Sequence, residues 1–250
     1  MPTDLMPKSK NTRKKLYEGS SKILYHTDDE TTLVQFFKDT IVLPDKTKIE
    51  LAGKGVVNNS ISAYLMEKLN LVGISTHFIE KVNMREQKIQ IVEVLPIRVI
   101  VTNLAHGRYV SQFGIQEGYV FNYPMMDFQV KNSDNGNPLI NEYQIKQFNW
   151  MNKYELKILR QQSIRVNDFL SGIFAKSGLR LVSCELEFGR VICDDDIMLM
   201  LSDEISPDTC RIWDISSNEK MDSESIKLGA NKLGSKKDLK IYETVLKRLM

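Results

Sequence analysis

Acidic residues that could bind a cation are concentrated between Leu181 and Asp214. This stretch contains two runs of alternating apolar and polar residues joined by an acidic turn, a pattern typical of a β-hairpin. If the turn is Asp194–Asp196, then Glu187 lies directly opposite Asp203. Two like charges opposed on a sheet destabilise it unless a cation lies between them, and oxygen ligands of this kind suit Mg²⁺. The alternative is a solvated acidic loop in which the strand pairing is shifted by one residue.

A second candidate site is the motif Y-E-G-S-S-K, which begins at Tyr17. Strand patterns flank its small residues over Lys15–Glu18, Lys22–His26 and Thr31–Phe37. A loop of small residues between antiparallel strands can direct backbone N–H groups at a phosphate, and Lys22 would add a positive charge. An ordinary hairpin turn explains the same residues, so the motif alone leaves both interpretations open.

The middle of the chain predicts one helix, followed by strands that lead from one lobe to another. From Val56 the apolar residues recur at helical spacing as far as Gly73. Strand patterns follow, and we assign them to one antiparallel sheet: Thr76–Ile79, Lys88–Val94 and Ile97–Val101. Pro96 lacks an N–H donor and interrupts the ladder. Val92–Leu95 is therefore the candidate crossover between lobes, where a bound adenine could form backbone hydrogen bonds.

The carboxyl-terminal half predicts a long loop and several helices in addition to the acidic hairpin. Turn-forming residues are dense in Gly118–Pro138, which we interpret as an irregular region. Asn152 begins a capping box, and apolar residues continue at helical spacing to Gly178. We expect this helix to pack on the sheet that contains the hairpin. Two further helices are predicted over Met221–Leu228 and from Ser235.

Composition argues against a membrane protein or a nucleic-acid-binding protein. The 250 residues are 42% hydrophobic and 26% charged, and a net charge of +2 gives no basis for binding nucleic acid. No apolar run is long enough to span a membrane, and the basic run Lys8–Lys15 lacks the apolar segment of a secretion signal. The three cysteines have no C-x-x-C spacing and are typical of reduced thiols. We therefore expect a cytoplasmic protein.

Four motifs together are specific for one family. They are Y-E-G-S-S-K-I-L-Y from Tyr17, G-K-G-V-V-N-N from Gly53, V-K-N from Val130 and D-E-I-S-P-D-T-C-R-I-W-D from Asp203. From about Lys15 to Met250 the chain resembles the SAICAR synthetase family in its bacterial form. The resemblance implies an α+β, two-lobed fold in which a small antiparallel β lobe and a larger α/β lobe enclose a nucleotide cleft. It implies a basic tail over residues 1–14, a β-rich nucleotide-binding lobe over 15–95, and a lobe with the metal and substrate sites over 96–250.

The reaction that this resemblance implies is an ATP-dependent ligation. The carboxylate of carboxyaminoimidazole ribotide (CAIR) condenses with the amine of L-aspartate to give SAICAR, ADP and phosphate in purine biosynthesis. A carboxylate is a poor acyl donor because its oxygen leaves badly, so phosphorylation would create an acyl phosphate for the amine to attack. The implied cofactors are ATP and Mg²⁺. The implied partners are these small molecules and a second copy of the chain, since we expect a homo-oligomer, most simply a dimer.

The resemblance also implies roles for individual residues. One set binds the nucleotide: Gly19, Ser20, Ser21, Lys22, Val94 and Lys131. A second set binds the Mg²⁺ that accompanies the nucleotide: Glu187 and Asp203. A third set is catalytic: Lys131, Asp208 and Arg211. The last two of these also lie in the CAIR site, where a guanidinium group suits contact with a carboxylate or phosphate.

The chain departs from the family pattern in the phosphate loop and around the CAIR site. The positions concerned are Ser20, Thr102, Arg108, Ser133, Asn137, Ser183 and Glu185. Among them, Thr102 replaces an arginine, Ser183 replaces an acid and Glu185 replaces a lysine. Each lost charged contact is worth about 1.5–3 kcal/mol when buried.

Two hypotheses follow from these departures. In the first, Arg108 supplies the charge that Thr102 cannot, and the chain remains a SAICAR synthetase that binds CAIR with Arg108. In the second, the chain is a divergent paralogue that binds nucleotide but has lost or changed the ligase reaction.

Overall fold

The amino-terminal part of the chain forms the first of two main sheets. The computed structural model describes residues 13–42, 46–131, 133–193, 196–228 and 236–250. The predicted strands are present as β1 Lys15–Glu18, β2 Lys22–His26 and β3 Thr32–Phe37, and a separate ribbon contains β4 Thr40–Val42 and β5 Lys48–Glu50. After the first helix, β6 Phe78–Lys81 and β7 Glu86–Gln90 complete an antiparallel sheet in the order β1-β2-β3-β7-β6.

The second sheet contains the acidic hairpin. Its strands are β8 Glu93–Leu104, β9 Val120–Val130, β10 Leu139–Ile140, β11 Leu179–Cys193, β12 Asp196–Ser202 and β13 Cys210–Asp214. They are antiparallel in the order β10-β9-β8-β11-β12, and β13 pairs with the first part of β11. The chain passes from the first sheet to the second between Gln90 and Glu93.

The helices of the described residues are α1 Lys54–Leu71, α2 Arg108–Ser111, α3 Glu142–Gln147, α4 Lys153–Lys176, α5 Ser223–Leu228 and α6 Lys236–Leu249. Helix α4 contacts β8, β11 and β12 of the second sheet, whereas α1 contacts β3, β6 and β7 of the first sheet. The predicted capping box at Asn152 is confirmed, because its side chain accepts the N–H groups of Tyr154 and Glu155. As expected, α4 packs on β11, and its Leu159 and Phe174 are fully buried in the main core. None of the helices in the described residues is long and apolar enough to cross a membrane.

The alternation of β11 separates a core face from a polar face. Cys184, Leu186 and Phe188 are buried in the core, whereas the intervening Glu185 and Glu187 are only partly buried. Residues that are directly opposite on neighbouring strands share a face. The polar face of the second sheet therefore collects the charged side chains that form the candidate site.

Two predictions about strands are wrong. The strands over 76–101 do not form one sheet, since β6 and β7 belong to the first sheet and β8 belongs to the second. Strand β8 continues through Pro96, and the Pro96 carbonyl accepts the N–H of Lys131 at 2.9 Å. The pairing of β8 with β11 shifts register between Val94 and Arg98, in agreement with the expected interruption of the ladder at Pro96. The region Gly118–Pro138 is not irregular, because it contains the eleven-residue strand β9. Residues 1–12 of the predicted tail, and Ser235, lie outside the described residues.

Candidate active site

The pairing of the acidic hairpin differs from the prediction by one residue. Glu187 pairs with Ser202 rather than Asp203, because the innermost described pair is Cys193 and Asp196. That pair leaves two residues between the strands, 194 and 195, which lie outside the described residues, whereas the prediction assumed three.

The two predicted acids nevertheless interact. Asp203 follows β12 directly and has a left-handed φ of 64°, which ends the regular alternation of the strand. Burial and the nearby negative charge of Asp203 raise the pKa of Glu187 above its ordinary value. The register was predicted wrongly, but the like-charge interaction between Glu187 and Asp203 is present.

Two lysines neutralise these acids. The Lys131 ammonium group contacts Glu187, and the Lys22 ammonium group contacts Asp203 and lies 2.9 Å from Oε1 of Glu204. Burial alone would raise the pKa of Asp203, but the positive charge of Lys22 lowers it below its ordinary value. Because Lys22 belongs to β2 and Asp203 follows β12, this ion pair joins the two main sheets.

The acidic cluster also contains a carboxylate oxygen without a partner. The Glu204 side chain is 1% exposed, and its Oε2 has no hydrogen-bond partner among the described residues. Within the described part of the chain, no group of three or more His, Cys, Asp or Glu side chains is arranged to hold a metal ion. Two carboxylates with a further buried oxygen nearby fit Mg²⁺, which takes one or two protein carboxylates and completes its shell with water and phosphate oxygens.

His77 supports the backbone at Asp203, a role that the sequence did not suggest. Its Nε2 lies 2.9 Å from the Asp203 carbonyl oxygen, and the His77 N–H donates to the Leu201 carbonyl at 2.9 Å. A carbonyl only accepts, so Nε2 must carry the proton in this contact. Burial lowers the pKa of His77 to about 4, which keeps the ring neutral at neutral pH.

The phosphate-loop motif forms the tight turn between β1 and β2. The Gly19 N–H donates to the Lys22 carbonyl at 2.9 Å, and Lys38 contacts the Gly19 carbonyl at 3.3 Å. Ser20 and Ser21 occupy the turn, which leads directly into Lys22. The structure therefore has the predicted hairpin turn and places its lysine at the acidic cluster.

Two glycines, Gly55 in the G-K-G motif and Gly189 in β11, lie where a Cβ atom would clash with a neighbouring segment. A Cβ atom at Gly189, in the E-F-G strand next to Val94, would lie 2.3 Å from Cγ2 of Val92. A Cβ atom at Gly55 would lie 2.4 Å from the Phe37 carbonyl oxygen. Val94 itself is half exposed on β8, opposite Gly189.

Asp39 anchors the first turn of α1. Its carboxylate accepts the N–H groups of Gly53 at 3.1 Å and Gly55 at 2.8 Å, and it forms a bidentate pair with Arg85 at 2.8 Å. The G-K-G motif thus fixes the start of α1 against the first sheet.

Asp208 is held by buried partners rather than directed at the polar face. Its Oδ2 lies 2.5 Å from Lys54 Nζ and accepts Asn58 Nδ2 at 2.8 Å, while its Oδ1 accepts the Tyr242 hydroxyl at 2.6 Å. The Lys54 side chain is 1% exposed. Sequence reasoning missed these three partners, because Lys54 and Tyr242 are distant from Asp208 along the chain. The contacts connect the D-E-I-S-P-D motif with α1 and α6.

Arg211 is part of an ion-pair network on the polar face. Its Nη2 lies 3.5 Å from Glu185 Oε1, and Glu185 Oε2 accepts Arg98 Nη1 at 2.7 Å. Arg98 also lies 3.7 Å from Glu187. The charge reversal at Glu185 is therefore neutralised by Arg98 on the neighbouring strand.

Arg108 and Thr102 occupy different parts of this face. Thr102 is buried opposite Ser183, and Ser183 is opposite Arg211 on the other side of β11. Arg108 instead forms an ion pair with Asp127, and its guanidinium lies 4.7 Å from the centre of the Tyr109 ring. The charge of Arg108 is thus neutralised by Asp127 in the structure.

Comparison with known proteins identifies the family. The family model described as SAICAR synthetase matches residues 15–242. The chain belongs to the SAICAR synthetase family. A phosphoribosylaminoimidazole-succinocarboxamide synthase of Rickettsia rickettsii (strain Sheila Smith) is 51% identical over 221 residues, which are 88% of this chain and 94% of the relative. The corresponding enzyme of Rickettsia canadensis (strain McKiel) is 48% identical over 237 residues, which are 95% of this chain and 98% of the relative.

Solved structures agree with this family assignment. The phosphoribosylaminoimidazole-succinocarboxamide synthase of Ehrlichia chaffeensis has a TM-score of 0.89 and 37% identity, and the match covers 94% of this chain and 98% of that one. A SAICAR synthetase in complex with ADP has a TM-score of 0.86 and 30% identity, with 94% and 97% covered. These SAICAR synthetases share the α+β fold, with its antiparallel sheets and helices.

Proposed function

We propose that this chain catalyses the ATP-dependent condensation of CAIR with L-aspartate, which gives SAICAR, ADP and phosphate in purine biosynthesis. This is the reaction of phosphoribosylaminoimidazole-succinocarboxamide synthase, EC 6.3.2.6, and relatives with that name are about half identical over most of the chain. The observation in the structure that carries the proposal is the cluster of Glu187, Asp203, Lys22 and Lys131, in which residues of both sheets meet.

The nucleotide would bind at this cluster, and residues of three segments would contact it. The turn Gly19–Lys22 would bind the phosphates through its backbone N–H groups and Lys22, with Lys131 on the opposite side. The half-exposed Val94 would pack against the adenine. A homologous SAICAR synthetase has been solved with ADP, which supports a nucleotide site in the family.

Glu187 and Asp203 would hold Mg²⁺ beside the nucleotide phosphates. When bound, Mg²⁺ would neutralise charge that develops on the transferred phosphoryl group. Lys22 and Lys131 contact these carboxylates in the structure, so binding would require both lysines to move from the acids to phosphate oxygens. A lysine suits this exchange, because its ammonium group is a single charge on a flexible stem.

The acceptor substrates would bind along the polar face beyond this cluster. Arg211 would bind an anionic group of CAIR, and Arg108 would contribute more weakly because Asp127 neutralises it. The Asp208 carboxylate contacts Lys54, Asn58 and Tyr242. Asp208 would therefore contribute to substrate binding indirectly, by fixing the position of the loop that leads to Arg211. Lys131 would remain the catalytic residue nearest the transferred phosphate.

The remaining assignments concern the two parts of the chain and the number of subunits. We place nucleotide binding in residues 15–95 and CAIR, aspartate and metal binding in residues 96–250. We also propose a homodimer. Size-exclusion chromatography with light scattering measures the number of copies, and a monomeric mass at all concentrations would contradict the dimer.

The first test is a steady-state assay with ATP, Mg²⁺, CAIR and L-aspartate. We expect SAICAR and ADP in equal amounts, with no product when any one component is omitted. The divergent-paralogue alternative predicts ADP binding by calorimetry without SAICAR at high enzyme concentration. The substitutions on the CAIR side favour that alternative, whereas the neutralisation of Glu185 by Arg98 favours retained activity.

A further inference from the structure

Three neighbouring strands place the substituted positions of the CAIR side next to Arg211. Ser183 on β11 is opposite Thr102 on β8 and opposite Arg211 on β13. Glu185 lies two residues further along β11, and residues two apart share a face. An acid at position 183 would therefore face Arg211 directly. In this chain the acid stands at position 185 instead.

Glu185 is the carboxylate that contacts Arg211. Its Oε1 lies 3.5 Å from Arg211 Nη2, and no other carboxylate in the described part of the chain is within 4.0 Å of that guanidinium. Asp222 lies nearby, but its oxygens accept the N–H groups of Ile212 and Glu224, each at 2.8 Å. Burial alone would lower the pKa of Arg211, but the negative charges of Glu185 and Asp222 raise it, so the group stays charged.

The second oxygen of Glu185 is fixed from the other side. Its Oε2 accepts Arg98 Nη1 at 2.7 Å, and both side chains are about one-quarter exposed, at 25% for Arg98 and 27% for Glu185. A carboxylate held at one oxygen has little rotational freedom at the other. Glu185 is thus oriented by Arg98 and can in turn orient Arg211.

We propose that Glu185 is a positioning residue that directs the Arg211 guanidinium at an anionic group of CAIR. The inference rests on the proposed function of Arg211 as a CAIR-binding residue. The competing explanation is that Glu185 only neutralises Arg98 and has no effect on substrate binding. In the proposal the carboxylate of Glu185 serves to orient Arg211, and in the competing explanation it serves only to neutralise Arg98.

The test moves the carboxylate between these two arginines. Glu185→Gln removes the charge, and we expect it to raise the KM for CAIR about tenfold without changing the KM for ATP. Adding Ser183→Asp to Glu185→Gln returns an acid to Arg211 but does not restore the carboxylate that Arg98 contacts at position 185. We expect this double variant to recover the CAIR KM of the unmodified chain while its thermal midpoint remains that of Glu185→Gln.

A second variant removes both members of the ion pair between positions 98 and 185. In Arg98→Gln with Glu185→Gln, no unpaired charge is left at position 98, but Arg211 still lacks the carboxylate of Glu185. We expect the CAIR KM to stay raised, whereas it would return to that of the unmodified chain if Glu185 only neutralised Arg98. A normal CAIR KM in this double variant, or an unchanged KM in Glu185→Gln, would overturn the proposal.

Controls separate this proposal from the proposed function. Glu142→Gln removes an acid from the surface pair with Arg160, where the two groups are 2.7 Å apart, and should leave both KM values unchanged. If the unmodified chain forms no SAICAR, the proposed function fails. In that case the dissociation constant of CAIR, measured by calorimetry in the same variants, still shows whether the carboxylate at 185 controls the anion site.

Discussion

The proposed nucleotide side and the proposed acceptor side of the site neutralise their acids differently. On the nucleotide side, Glu187 and Asp203 each contact a lysine, and the Lys22 contact joins the two main sheets. On the acceptor side, Glu185 contacts the guanidinium groups of Arg98 and Arg211, and all three belong to the second sheet.

This difference follows from the chemistry of the two cations. A lysine is a compact charge on a flexible stem, whereas the planar guanidinium of an arginine holds a fixed orientation. The nucleotide side is therefore suited to exchanging an internal cation for Mg²⁺ and phosphate, and the acceptor side is suited to presenting a fixed anion site. We therefore expect substitutions on the nucleotide side to change kcat. Substitutions on the acceptor side should change stability or the binding of CAIR.

The largest effect is expected from Asp203→Asn on the nucleotide side. The change removes a proposed Mg²⁺ ligand and one of the two acids that contact Lys22, so we expect kcat to fall about a thousandfold. The fall should be accompanied by weaker Mg²⁺-dependent binding of ADP in calorimetry. Ser202→Ala is the matched control on the adjacent residue, because the buried Ser202 hydroxyl has no hydrogen-bond partner among the described residues. A kcat similar to that of the control would contradict the assigned role of Asp203.

On the acceptor side, Lys54→Met should reduce stability more than chemistry. The change leaves the Asp208 carboxylate without its buried cation, and we expect the free energy of unfolding in urea to fall by about 3 kcal/mol. Tyr242→Phe removes only one hydrogen bond to Asp208, so its loss should be about 1–2 kcal/mol. A larger loss of unfolding free energy in Tyr242→Phe than in Lys54→Met would mean that the Tyr242 hydroxyl, and not Lys54, is the main partner that stabilises Asp208.

Local sequence patterns predicted the elements of the site better than the contacts among them. The alternation in β11 and β12 and the capping box at Asn152 are short-range features, and both were found as expected. The register of the hairpin depended on one residue of turn length, which alternation does not determine. Although the predicted register is wrong, Asp203 is still near enough to Glu187 for its negative charge to raise the pKa of Glu187.

Contacts between distant residues could not be read from the sequence. Asp208 pairs with Lys54, which is 154 positions away, and no local spacing indicates that pair. Strand β9 was missed because turn-forming residues are dense in Gly118–Pro138, and this density was interpreted as an irregular region. Gly55 was recognised only as part of the G-K-G motif of the resemblance, and its steric cause, the Phe37 carbonyl oxygen, appeared only in the structure.

His77 gives a smaller, pH-dependent effect on the nucleotide side. Its pKa in the folded chain is about 4, below the ordinary value of 6.5, so the unfolded chain binds a proton that the folded chain does not between these values. Its contribution to stability is complete above pH 6.5 and is lost as the pH falls toward 4. His77→Gln keeps a donor for the Asp203 carbonyl but cannot titrate. Relative to this variant, we expect the unmodified chain to lose about 2 kcal/mol between pH 7 and pH 4.5 in urea unfolding. An equal pH dependence in both proteins would contradict the assignment.

The smallest effect is expected at Arg108. Substitutions there test whether Arg108 acts on CAIR as a charge that Asp127 partly neutralises. Because Arg108 is paired with Asp127 and is partly exposed, Arg108→Gln should raise the KM for CAIR only about threefold. Asp127→Asn keeps an oxygen acceptor for the Tyr109 hydroxyl but releases the charge of Arg108, so it should lower that KM. Opposite changes in the two variants would mean that Arg108 acts on the substrate as a charge limited by Asp127. A rise in both would mean that the pair only maintains the local structure, and Arg108 would then not compensate for Thr102.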